Sequence, residues 1–126
     1  MSWQTYVDEH LVKSGACTAG AIIGFDGTTW AQSAGFALKV GEGQAIVALF
    51  QNPADVFPRG VTVAGVKYMG VKGEERSIHG KKGATGVGLG KTNQCIVIGY
   101  YNETRQPGNA AVAVQSLTDH LLANGQ

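Results

Sequence analysis

Cys95-Ile96-Val97-Ile98-Gly99-Tyr100, with the segment opened by Pro107-Gly108-Asn109 behind it, decides the fold class. The first stretch is short, apolar and β-branched, and it reads as the clearest buried strand of the chain. The second reads as a helix over roughly 109–123. Val114, Leu117, Leu121 and Leu122 form its apolar stripe, and Gly125 is a fitting stop. Working back from these, Val87-Gly88-Leu89 gives another strand. Glu75 to His79 gives a short strand followed by a Gly/Lys turn, and Gly60 to Val71 gives one or two (Val61-Thr62-Val63-Ala64, then Lys67 to Val71). Residues 43–50 fit either period and are assigned to helix. Residues 19–25 read as a strand, Asp26-Gly27 as a two-residue hairpin, and residues 28–33 as the partner strand. Residues 2–13 read as the first helix, with Ser2 as cap and Trp3, Tyr6, Val7, His10 and Leu11 on one face.

The order is helix, many strands, helix. Short, Gly-rich connections favour an antiparallel meander over βαβ units. The expectation is a single α+β domain over 1–126, and a chain of 126 residues buries enough surface to need neither disulfide nor metal.

Net charge is +1, but it is unevenly placed. The span Arg59 to Lys91 holds seven of the ten basic residues and only Glu74 and Glu75 as acids. A basic patch on a near-neutral chain points to an acidic protein surface or anionic lipid headgroups. It argues against nucleic acid, which the overall charge attracts little. Cys17 and Cys95 form no spaced motif, and no apolar run approaches a membrane span, so the chain reads as cytosolic.

No catalytic constellation emerges. Thr85-Gly86-Val87-Gly88-Leu89-Gly90-Lys91-Thr92 ends like a phosphate-binding loop, but Thr85 stands where the first glycine belongs and a strand follows instead of a helix. A glycine-softened hairpin accounts for it better. His10, His79 and His120 lack ligand spacing, and Ser77 with His79 forms no triad without a placed third member. The expectation is a non-enzymatic binding protein without cofactor or metal. Trp3, Tyr6 and Trp30 include both tryptophans; the residues alone allow either core packing or a platform for a ligand.

Trp3-x-x-Tyr6-Val7-Asp8 resembles the opening of the profilins. Asp26-Gly27-Thr28-Thr29-Trp30-Ala31-Gln32-Ser33 is similar to that family's first hairpin, and Gly60 to Met69 to its middle strands. Ser77-Ile78-His79-Gly80-Lys81-Lys82-Gly83 resembles the basic turn of the plant and amoeba branches. Thr104 to Gly108, leading into Leu117-Thr118-Asp119-His120-Leu121, is similar to the last helix. Five blocks in register cover essentially the whole chain.

The resemblance implies a central antiparallel sheet with the N- and C-terminal helices packed together on one face. It implies a groove for proline-rich (polyproline) segments at Trp3, Tyr6, Trp30 and His120. It implies a face for monomeric actin at Phe57, Lys72, His79, Lys81, Lys82 and Gly108, and phosphoinositide contacts, as with phosphatidylinositol bisphosphate, at Lys72, Arg76, Lys81 and Lys82. It further implies a cytoplasmic, cytoskeletal monomer regulating actin filament assembly. The chain departs from the family pattern at Leu122 and Gln126, where an aromatic is common, at Ala111, Gln115 and Ser116, and at His79, where Arg is common. Two alternatives stand beside this reading: a module of the same architecture serving membrane-traffic complexes, and a nucleotide-dependent enzyme using the Gly86–Thr92 loop.

Overall fold

The computed structural model describes residues 2–126. The chain opens with a helical segment, α1, whose first turn Trp3–Thr5 continues in wider π-helical winding over Tyr6–Lys13. Ser2 caps it as expected, its Oγ accepting the Thr5 N–H at 3.1 Å. Then follow β1 (Ala19–Gly24), β2 (Thr29–Gln32), α2 (Glu42–Leu49), a single turn at Pro53–Asp55 and α3 (Val56–Arg59). The chain continues through β3 (Val61–Val63), β4 (Val66–Glu74), β5 (Ser77–Lys82), β6 (Thr85–Lys91) and β7 (Cys95–Tyr101) to the closing helix α4 (Pro107–Ala123).

The seven strands form one sheet in the order β2-β1-β7-β6-β5-β4-β3, antiparallel throughout. β3 to β7 are joined as consecutive hairpins, and β7 then pairs with β1, which ties the two ends of the chain together. β7 is buried on both sides, which explains its unbroken apolar run. Cys95, Val97 and Tyr101 point into a core shared with α1 and α4; Ile96 and Ile98 point into a second core with Ile46, Phe50 and Val56 from the α2–α3 side.

α4 sits very close to the sheet where β6 and β7 present Gly90 and Gly99 to it. A methyl at Gly90 would collide with the Thr118 hydroxyl, and one at Gly99 of β7 would lie 2.5 Å from Val114 Cγ2 and 2.9 Å from Cys17 Sγ. Of the glycines of the would-be phosphate loop, Gly90 thus serves helix approach and Gly86 makes room for the Tyr101 ring, and β6 and β7 form the hairpin expected of them.

α4 begins with Pro at its first position and ends with Gly125 in the left-handed region at φ +79°. The helix assigned to 43–50 is present as α2. Its first residue, Glu42, is buried and accepts the N–H groups of Lys39, Ala64 and Gly65 at 2.7–2.9 Å, which fixes the β3–β4 turn.

Three expectations need correction. The β1–β2 connection is longer than two residues: Gly24 N–H donates to Thr28 O and Asp26 Oδ1 accepts the Thr28 N–H, leaving Gly27 at φ +86°. The strand placed at Glu75 to His79 lies at Ser77–Lys82, so Lys81 and Lys82 belong to a strand and the turn falls at Gly83-Ala84. The turn at Pro53–Asp55 and α3 occupy a stretch given no element from the sequence.

Candidate ligand-binding faces

α4 divides the sheet face it covers. Towards α1 and β2 lies a run of aromatic rings. Trp30, on the outermost strand β2, is 39% exposed and stands 5.0 Å from Trp3 between ring centroids. Trp3 stands 6.0 Å from Tyr6, and Tyr6 stands 5.8 Å edge-on to His120 near the end of α4. The four residues named from the sequence are therefore one continuous row. Tyr6 is rooted in the core at 8% exposure, whereas Trp30 and His120 are open to solvent and Trp3 lies between. The row also contains a residue the sequence had placed only on the helix face: His10 lies 5.6 Å from Tyr6 and 6.0 Å from His120.

The geometry suits a flat-sided, extended ligand. The steps from Trp30 to His120 make a path of roughly 17 Å, which equals about five to six residues of polyproline II helix at ~3.1 Å each. Indole, phenol and imidazole groups along it combine apolar rings with hydrogen-bond donors, which are what such a helix, with its free carbonyls, can use.

Beyond the start of α4, β5 and β4 leave the sheet uncovered. Cross-strand pairing puts Lys81 opposite Met69 and His79 opposite Lys72. Phe57 (53% exposed), Met69 (72%) and Val71 (54%) form an apolar patch in a groove that Lys81 and Lys82 also line. His79 and Lys81 continue into a pocket closed by Pro107 and Ala111, which brings Gly108 to the rim. The structure thus assembles Phe57, Lys72, His79, Lys81, Lys82 and Gly108 around one face. Met69 and Val71 were missed from the sequence. Lys67, Met69 and Val71 alternate outward, and the register shift between Gly70 and Lys72 then brings Lys72 opposite His79 on the same face as Met69.

Arg76 does not join this cluster. It sits at the opposite end of β5, where its guanidinium donates to Lys91 O at 3.1 Å and Asn93 Oδ1 at 3.4 Å. A strand of six residues separates it from Lys82 by roughly 20 Å. The grouping of Arg76 with Lys81 and Lys82 in one headgroup site is therefore not met by the geometry.

His79 is half-buried, and burial first, then the charge of Lys72, lowers its pKa, with Glu74 opposing. Its Nε2 lies 3.4 Å from Ser77 Oγ, a long contact. Lys72 and Glu74 form an exposed pair at 3.9 Å that contributes little. Burial pushes the Cys17 thiol up to about 11 and raises that of Cys95, so both are protonated core residues. Among the described residues, no three His, Cys, Asp or Glu side chains gather as a metal group.

This architecture has close counterparts. The family model described as Profilin matches residues 1–126. Profilin-P of Physarum polycephalum is 62% identical over 125 residues, covering 99% of both chains. The crystal structure of Acanthamoeba castellanii profilin II superposes with a TM-score of 0.95 at 47% identity, covering 99% of this chain and 100% of that one. Mouse profilin IIa, solved in complex with a double repeat from the FH1 domain of mDia1, shares the fold with a TM-score of 0.80 at 22% identity, over the whole of both chains. The chain belongs to the profilin family, on the branch of the amoeboid relatives. Its class is that of the actin-binding profilins.

Proposed function

We propose that this chain captures monomeric actin on the β4–β5 face, with Phe57, Met69, Val71, His79, Lys81 and Lys82 as the contact centre and Lys72 and Gly108 at its rim. Proline-rich segments lie along Trp30, Trp3, Tyr6 and His120. Headgroups of phosphoinositides use Lys72, Lys81 and Lys82, and so compete with actin, while the ring row stays free. The protein works in the cytoplasm, as a monomer, and its action is binding; no step of it needs catalysis by its own residues.

The observation that carries this reading is the unbroken row of rings drawn from both terminal helices and β2. A membrane-traffic module of the same architecture would have no use for it. The actin face is supported by an exposed apolar patch ringed by lysines, a combination that marks a protein contact.

The test is a crossed one. Trp3→Ala should lose retention on polyproline and leave actin binding nearly unchanged, because a central ring at such a site is worth on the order of 2 kcal/mol or more. Lys81→Glu with Lys82→Glu should do the reverse, weakening actin-monomer sequestration and binding to phosphoinositide vesicles while polyproline retention persists. Loss of both activities in either variant, with the fold intact, would refute the assignment of two separate faces.

A further inference from the structure

We propose that His10 and His120 form a binding site for a divalent transition metal ion of the zinc class, which clips the two terminal helices together. The two histidines come from opposite ends of the chain, one on α1 and one on α4. Their rings lie 6.0 Å apart between centroids and are nearly parallel, at 23°. Zn–N bonds of about 2.0–2.1 Å at a tetrahedral angle place the centroids of two imidazoles on one ion roughly 5 Å apart. The stacked pair stands about 1 Å wider than that, so rotation of the two exposed side chains, without movement of either helix, turns a nitrogen of each onto one ion.

The rings also share a neighbour. Tyr6, anchored in the core, packs against both, at 5.6 Å from His10 and 5.8 Å from His120. Both histidines are exposed, so their nitrogens are reachable. The amide nitrogen of Asn124 lies 3.4 Å from His120 Nε2, but its stronger bond goes to the His120 carbonyl at 2.7 Å. Coordination at Nε2 displaces only the weaker contact.

Imidazole nitrogen suits zinc, copper and nickel over calcium and magnesium. No third His, Cys, Asp or Glu completes the group among the described residues. The remaining coordination positions fall to water, or to the hydroxyl groups of Ser14 and Ser116, each four residues from one of the histidines. These line the same cleft of about 500 Å³ between the helices. Such a site is open and exchangeable, in contrast to the closed four-ligand sites that hold structural zinc. Because Tyr6 and His120 also belong to the ring row, a bound ion would fix the end of that row and hold α1 against α4.

The experiment is a zinc titration of the full chain by calorimetry, under a non-chelating reductant. Imidazole NMR signals and the melting temperature are followed in parallel, and the parent is compared with His10→Ala, His120→Ala and His79→Ala. The parent should bind one zinc ion, shift the signals of His10 and His120 together, and melt several degrees higher at free zinc about a hundred-fold above Kd. His10→Ala and His120→Ala should each weaken zinc binding at least ten-fold. Both remove exposed side chains, so their metal-free melting curves check that they fold. His79→Ala should bind zinc as the parent does. No one-to-one binding by the parent below about 1 mM zinc, or parental affinity in either His10→Ala or His120→Ala, would overturn the proposal.

Discussion

The glycines of β6 allow a test within one strand. Gly88 and Gly90 face α4 two residues apart, yet their surroundings differ. A methyl at Gly90 meets the Thr118 hydroxyl head-on, with Thr118 Cγ2 at 3.3 Å. Thr118 cannot yield freely: it is 1% exposed and its hydroxyl donates to Val114 O at 2.7 Å. Turning it away loses that bond, about 1 kcal/mol, and leaves crowding in a packed interface that costs about 1–3 kcal/mol. Reduced freedom of the unfolded chain offsets about 0.4–1 kcal/mol. Gly90→Ala should therefore destabilise by about 2 kcal/mol net. A methyl at Gly88 finds Val114 Cγ2 at 3.6 Å and His79 Cδ2 at 3.8 Å, ordinary contact distances. Gly88→Ala should keep the unfolded-state gain of about 0.4–1 kcal/mol. Urea unfolding of the two variants should differ by nearly 3 kcal/mol, or about 8–14 °C in melting temperature. A double-mutant cycle adds a check: Thr118→Ala should cost less in the Gly90→Ala background than alone, by about 1 kcal/mol. If Gly90→Ala is as stable as Gly88→Ala, close helix approach is not what Gly90 provides.

Further outcomes follow from particular side chains. His120→Ala should weaken proline-rich peptide binding less than Trp3→Ala, because it removes one donor and a small ring at the end of the row; equal losses in fluorescence titrations would contradict that. Charge reversal at Lys81 and Lys82 should slow actin association, and the difference from the parent should shrink with added salt, since exposed charges are screened over about 8–10 Å at physiological ionic strength. A stopped-flow rate that ignores salt would point to contacts other than charge. The lowered pKa of His79 means that the unfolded chain takes up a proton near pH 6.5 before the folded one does. Its contribution to stability is therefore present above about pH 6.5 and is lost as pH falls through that value towards the folded pKa. The fall in unfolding free energy between pH 7.5 and 5.5 should be shallower in His79→Asn than in the parent. Glu42→Ala removes an acceptor for three backbone N–H groups and should cost about 3 kcal/mol, with Glu42→Gln milder; denaturant melts give both values.

Much of this fold is legible where local chemistry and tertiary context agree. Ser2, Pro107 and Gly125 mark helix ends by capping rules, and β7 declares itself because both of its faces are buried. β5 is misread because Gly80-Lys81-Lys82 carries the composition of a turn. Only cross-strand pairing to β4 and β6 makes it a strand. The residues around Phe57 fail for a related reason: Pro53 and Pro58 interrupt any period, and the two short helical turns exist because Val56 docks in the α2-side core. The ring row was named from a whole-chain resemblance, since Trp3, Trp30 and His120 are too far apart in sequence for spacing to relate them. His10 was visible only as a helix-face residue, because its neighbour His120 comes from the far end of the chain.

The position of α4 between the two faces has a consequence for delivery. Its first turn borders the basic and apolar face, and its last turn carries His120 into the ring row. From Gly108 to His120 the helix is roughly 18 Å long, at ~1.5 Å per residue. Under the proposed function, a proline-rich tether held at one end would keep a monomer bound at the other within a few nanometres of the tether's anchor. Local concentrations on that length scale are of millimolar order. On the proposed assignment of the two faces, a modest affinity at each is enough for the tether to hold a captured monomer close, and lengthening the tether would dilute the effect even with both faces intact.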